Sequence, residues 1–244
     1  MELGPRSPAS TGEQMVAGMP SSGRKLPRAV PPRRDGTGLP ELHEAAVFGE
    51  VGRARKALAQ GDHIDVKGSD GGTPIYASCK NGWPECVKFL LENGADKDMP
   101  EDRNLCTPVW IACRNEHPEC LKVLLEAGAD KEKTNKYGET PLYIACSYGN
   151  AECVQILVDA GADVNKASDQ GVTPLYMASD RVWPKCVKIL LDAGADKEKA
   201  NATASYMPDY VKAEKKLAQW VENDRIRYAA GAASRPAPAP SPYQ

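Results

Sequence analysis

One phrase recurs four times in this chain at almost constant spacing, and that spacing limits the fold more than any single residue does. Thr73-Pro74-Ile75-Tyr76, Thr107-Pro108-Val109-Trp110, Thr140-Pro141-Leu142-Tyr143 and Thr173-Pro174-Leu175-Tyr176 each lead to a Gly-Ala-Asp triplet, beginning at Gly94, Gly128, Gly161 and Gly194. Thr and Gly are 21 residues apart in every copy, and successive Thr residues are 34, 33 and 33 apart. The one extra residue therefore lies between Asp96 and Thr107, outside the packed part of the unit. A period of this length predicts a stack of similar units, which shifts the functional question from a pocket to a surface.

Each copy reads as two short helices and an extended connection. Thr is a good N-cap because its hydroxyl accepts from an orphan backbone N–H, and Pro suits the first helical position, where no N–H is needed. A first helix is thus predicted at each Thr-Pro. In the copy that begins at Thr140, the apolar Leu142, Ile144, Ala145 and Cys146 end at Ser147-Tyr148-Gly149-Asn150, and a second apolar stretch follows with Cys153, Val154, Ile156, Leu157 and Val158. Elsewhere that second helix opens at Pro84, Pro118 and Pro184. Glu85, Glu119 and Glu152 occupy its first turn, where the helix dipole favours a negative charge, and Lys185 breaks the pattern. The Gly of Gly-Ala-Asp follows directly, where a left-handed residue closes the helix. A polar, loop-forming run comes next. One unit has too little apolar surface to fold alone, and roughly three or more must stack to share a core.

With these residues in view, the chain resembles the ankyrin-repeat family over about two-thirds of its length. Gly138-Glu139-Thr140-Pro141-Leu142-Tyr143-Ile144-Ala145-Cys146, then Gly149-Asn150 and Val154 to Gly161, match that family's repeat. A weaker copy, Leu42-His43-Glu44-Ala45-Ala46 with Gly49 and Gly61, fits the same register and makes five units. It lacks Thr-Pro and carries Arg53, Arg55, Lys56 and Gln60 along its second helix, as a polar capping unit does. The resemblance implies an all-α solenoid with projecting hairpin-like loops. Two departures stand out. The family's usual His is kept only at His43 and becomes Tyr76, Trp110, Tyr143 and Tyr176, and the inter-helix Gly kept at Gly82 and Gly149 becomes Glu116 and Val182. A left-handed backbone at those last two positions costs ~1–2 kcal/mol each.

The expected organisation is a disordered Pro/Gly/Ser/Arg-rich tail over 1–38 and a repeat domain over 39–201. Its units lie near 39–67, 68–101, 102–134, 135–167 and 168–200, followed by a degenerate capping helix over 202–229 and a Pro-rich tail over 230–244. Asp209 to Tyr228 reads as one amphipathic helix that covers the open end of the stack or, alternatively, binds a partner. The chain has 244 residues and net charge −2, with no apolar run near the ~20 residues of a membrane span. The basic stretch from Arg24 to Arg34 is broken by prolines and apolar residues and makes a poor nucleic-acid patch.

Eight cysteines invite a metal or disulfide reading, and the register argues against both. Cys86, Cys120, Cys153 and Cys186 share one position in the second helix, and Cys79, Cys113 and Cys146 share one in the first. These are buried small-apolar positions, equivalent ones being about 8–10 Å apart, beyond the ~7 Å Cα limit for a disulfide. Reduced structural thiols imply cytosol or nucleus. Cys106, just before Thr107, falls outside the pattern and is expected to be exposed. His43, His63 and His117 sit in no nucleophilic motif, and no phosphate loop or paired-carboxylate motif stands apart from the repeat, so neither catalysis nor a cofactor nor a metal is expected.

What remains is a non-catalytic interaction module. In ankyrin-repeat proteins partners bind at loop tips and at the exposed end of the first helix, on the concave side of the stack. Carried over by position, the resemblance implies Lys80 and Asn81, with Ser69, Asp70 and Gly72; Arg103, Asn104, Arg114 and Asn115, with Cys106; Lys136, Tyr137, Glu139, Ser147 and Tyr148; and Asp169, Gln170, Asp180 and Arg181, with Val172. Their mixed charges suit a protein or peptide partner better than a phosphate backbone. Arg114, Tyr137, Tyr148 and Arg181 are the side-chain types most often found at binding hot spots. The expectation is a scaffold or adaptor, monomeric in isolation; the alternatives are a regulatory or inhibitory subunit of a partner enzyme and, further off, a nucleic-acid-associated protein or an enzyme.

Overall fold

A computed structural model describes residues 40–204. The expected tails and the expected helix over Asp209 to Tyr228 lie outside the described residues. Eleven helices run in order among them: α1 Glu41–Phe48, α2 Val51–Ala59, α3 Pro74–Asn81, α4 Pro84–Glu92, α5 Pro108–Arg114, α6 Pro118–Glu126, α7 Pro141–Tyr148, α8 Ala151–Asp159, α9 Pro174–Asp180, α10 Pro184–Asp192 and α11 Lys197–Ala204. None of the described residues is in a strand. The odd-numbered helices α1 to α9 pack in one row and the even-numbered α2 to α10 in a second, each pair touching the next.

The local signals act as their chemistry requires. The hydroxyls of Thr73, Thr107, Thr140 and Thr173 accept from the backbone N–H groups of Tyr76, Trp110, Tyr143 and Tyr176, with Pro at the first helical turn each time. Gly94, Gly128, Gly161 and Gly194, just beyond the second helices, all have positive φ. So do Glu116 and Val182, both at 59°, the strain that the inter-helix departures imply.

A continuous core runs between the two rows. Ile75, Val109, Leu142 and Leu175 come from the first helices and Leu90, Leu124, Leu157 and Leu190 from the second, all essentially inaccessible. Burying one such side chain contributes ~1.5–3 kcal/mol, so stacking rather than helix propensity holds the units. All eight cysteines are free and buried in it. Thiol contacts run diagonally, Cys79 with Cys120 and Cys113 with Cys153, linking a first helix to the second helix of the next unit. Burial holds the thiols of Cys79, Cys113 and Cys146 well above their ordinary range. Cys106 is a correction to the sequence reading. It is only 4% exposed, because the loop before Thr107 folds back over it, with its carbonyl accepting from Glu101 N–H and its own N–H directed at the Glu101 carboxylate.

Units are also stitched by polar bonds. Trp83 Nε1 donates to Val47 O (3.0 Å), His117 Nε2 to Lys80 O (3.2 Å), Asn150 Nδ2 to Cys113 O (2.5 Å) and Trp183 Nε1 to Ser147 O (3.3 Å). From the second unit on, the residue before each second helix thus reaches the last carbonyls of the preceding unit's first helix, which have no intrahelical partner. α11 departs from the loop expected there. Asp196 Oδ1 accepts from the N–H groups of Glu198 and Lys199, and this cap turns the polar run into a helix that packs on α9.

Candidate functional site

Seven of the residues singled out by register converge. Asn104, Cys106, Arg114, Tyr137, Glu139, Ser147 and Tyr148 line a groove of about 320 Å³, together with Tyr76, Trp110, Asn135 and Ile144. Loop tips supply one side of it, and the ends of α5 and α7 supply the other. Arg114 and Ser147 can reach it because they fall at helix ends, where the side chain is no longer turned into the stack.

Two contacts fix the upper wall. Arg114 Nε donates to Tyr148 Oη (3.3 Å), and its guanidinium carbon lies 5.6 Å from the centre of the Tyr148 ring. The phenol oxygen holds the guanidinium above its ordinary pKa. Lys136 Nζ lies 5.0 Å from the centre of the Tyr137 ring. Tyr137 and Tyr148 are nonetheless 52% and 47% exposed, large apolar faces left to solvent. On the loop side, Asn135 Oδ1 accepts from the N–H groups of Tyr137 and Glu139, while its Nδ2 donates to the Glu139 carboxylate (2.7 Å). In the preceding loop the buried carboxylate of Glu101 accepts from the N–H groups of Arg103 (2.8 Å) and Asn104 (2.5 Å). These loops are therefore rigid supports for the tip side chains.

The floor is protonated and neutral at physiological pH. Burial pushes the Cys106 thiol up to about 12, with Glu101 adding to the effect, and pushes the Tyr76 phenol well above its ordinary range. Tyr143, on α7, rises to about 12 through burial and the charge of Glu139, with Arg181 opposing. Among the described residues no group of three His, Cys, Asp or Glu side chains is arranged to hold a metal ion.

The other expected residues lie apart from the groove or serve the framework. Asn115 Nδ2 donates to Lys80 O (2.7 Å) and Asn81 Nδ2 to Ala77 O (2.9 Å), so both amides cap helix ends. Lys80 Nζ is 3.4 Å from Asp70. Arg103 is exposed, and its carbonyl accepts from Lys136 Nζ. Asp169 and Gln170 are exposed at the next tip, Asp169 N–H donating to Tyr137 O, while Asp180 and Arg181 end α9. Gly72, Cys106 and Val172, expected on this surface, are buried instead, Cys106 forming part of the groove's floor, whereas Glu139 at the equivalent place before Thr140 is half-buried. The floor residues Tyr76 and Trp110 were read only as bulk replacing a His, which was the available signal.

A family model described as Ankyrin repeats (3 copies) matches residues 42–135 and 127–201, well over half of the chain. The chain belongs to the ankyrin-repeat family. This ankyrin-repeat chain is also similar to protein phosphatase 1 regulatory subunit 27 of Mus musculus, 34% identical over 66 residues, which are 27% of this chain and 43% of that protein. The Homo sapiens protein of the same name is 33% identical over 66 residues, again 27% and 43% of the two chains. Ankyrin repeat domain-containing protein oryK of Aspergillus oryzae is 33% identical over 57 residues, 23% of this chain and 9% of that one. The chain thus spans less than half the length of the first two relatives. Among the described residues no helix is long and apolar enough to cross a membrane.

Proposed function

We propose that this chain is a non-catalytic adaptor or scaffold, monomeric in isolation, that binds a protein or peptide partner on the face built from loop tips and first-helix ends. The proposed binding domain spans residues 39–201. The observation that carries this reading is the groove: two half-exposed tyrosines and an arginine, side chains rich in interface energy, stand together on rigid supports near the middle of the stack. Tyr148→Ala or Arg114→Ala is expected to weaken binding by ~1–3 kcal/mol with little change in melting temperature. Lys88→Ala, exposed on α4, is expected to change neither. The partner captured by the full chain, then titrated against each variant, tests this. Weakening by Lys88→Ala alone places the partner on the opposite face.

A second reading, regulatory or inhibitory subunit of a partner enzyme, is favoured by the name of the mouse relative. It predicts that the captured partner is an enzyme whose turnover changes when the chain is added. The eight free, buried thiols support a reducing compartment, cytosol or nucleus. The mixed charges of the face favour protein over nucleic acid, so binding should show a shallow salt dependence rather than the steep one of phosphate contacts.

A further inference from the structure

We propose that the groove reads an acidic side chain, so that the partner presents a short peptide segment with Asp or Glu seated on Arg114 and an apolar neighbour against Tyr137. The inference rests on the partner-binding reading of this face and adds its chemistry. Arg114 lines the groove yet has no carboxylate within ion-pair distance among the described residues, whereas Arg53 in the first unit is surrounded by Glu41, Glu44 and Glu50. Its Nε is engaged by Tyr148 Oη and its plane is held near the Tyr148 ring, so the fork is already oriented while its terminal nitrogens keep their donors. A planar guanidinium with two such donors matches a carboxylate in bidentate fashion. Pre-orientation also lowers the entropy lost when the pair forms.

The other charge in the groove selects the ligand further. Glu139 is tied to Asn135 and lines the same groove, while Lys136 is held over the Tyr137 ring with its Nζ on Arg103 O, so a singly charged carboxylate meets Arg114 and the second charge of a phosphate meets Glu139. The volume, about 320 Å³, takes one or two side chains rather than a folded surface. The exposed Tyr137 ring lines the same groove and fits an apolar residue next to the acid.

The test displays a random heptapeptide library to the immobilised full chain. Recovered peptides are expected to share an Asp or Glu beside an apolar residue. For a synthetic peptide so recovered, changing the acid to its amide should weaken binding to the parent chain about tenfold or more, and acid and amide should bind Arg114→Gln alike. Arg114→Lys, which keeps the charge and loses the fork, should fall between. Acid and amide binding the parent equally, or an acid preference that survives in Arg114→Gln, overturns the inference. A phosphoserine form that binds more tightly than the acid overturns it too. If the recovered peptides lack an acid but are lost on Tyr148→Ala, the partner-binding face stands and only the carboxylate fails. Peptides indifferent to Tyr137→Ala, Tyr148→Ala and Arg114→Gln, or no recovery at all, overturn both.

Discussion

The left-handed residue between the two helices of a unit is chosen by the neighbour above it. A Cβ on Gly49 would lie 2.6 Å from the Trp83 ring, one on Gly82 2.6 Å from His117, and one on Gly149 2.4 Å from Trp183. At Glu116 the register places Asn150 in the position that Trp83, His117 and Trp183 hold elsewhere, and its short amide donates to Cys113 O. Glycine is thus required where an aromatic ring of the next unit lies over it, and only the backbone penalty remains where an amide does. Gly161→Ala, with positive φ but open space, should cost ~1 kcal/mol in denaturant melts. Gly149→Ala should cost clearly more, because the Trp183 ring and its bond to Ser147 O must move as well. Glu116→Gly should stabilise by about 1 kcal/mol, relieving a conformation that side chains dislike. His43 gives a pH test. Burial pushes its imidazole below its ordinary value, against the pull of Asp70 at 4.0 Å. The unfolded chain then takes up a proton before the folded one does. Its contribution to stability is complete above about pH 6.5 and is lost as pH falls through the lowered value. His43→Gln should flatten that part of a stability-versus-pH curve.

At the scale of elements, the loops are interlocked as firmly as the helices. The backbone N–H groups of Asp96, Asp130, Asp163 and Asp196 donate to side chains one unit back, Asp65, Asp98, Glu132 and Asn165. The loop with the extra residue is different. Gly68, Asn135 and Ser168 each close a tip with the residue four positions on, but Glu101 closes with Cys106, five on. Leu105 takes the left-handed turn there at φ 58°. The carboxylate of Glu101, 4% exposed, gathers the N–H groups that this wider turn leaves unpaired. Glu101→Ala should therefore cost ~1–3 kcal/mol in equilibrium unfolding. It should also weaken partner binding, since Asn104 and Cys106 border the groove. Helix starts and the period were legible in the sequence because Thr, Pro and Gly act within a few residues of themselves. The burial of Cys106, the role of Glu101 and the floor of the groove were not, because they depend on bonds and packing between loops and units that no local pattern encodes. α11 was missed for a related reason: Asp196 closes one unit and caps the next helix at once.

At the scale of the whole described stack, stability is a sum over units and the seams between them. The second, third and fourth units have neighbours on both sides, and the first meets only one among the described residues. Its outer surface is correspondingly polar, with Arg53 joined to Glu41, Glu44 and Glu50. Hydrogen exchange should be slowest in α5 and α7 and faster in α2, a gradient that a single all-or-none block would not give. The pairing of each inter-helix residue with the ring above it also restricts how such a chain can be shortened or lengthened over evolutionary time. Excising 102–134 would set Asn150 over Gly82, a tolerable junction, whereas excising 135–167 would drive the indole of Trp183 onto Glu116. Units that look interchangeable when aligned are thus not equally expendable, and what a duplication must copy intact is the junction: the turn of one unit together with the opening of the next.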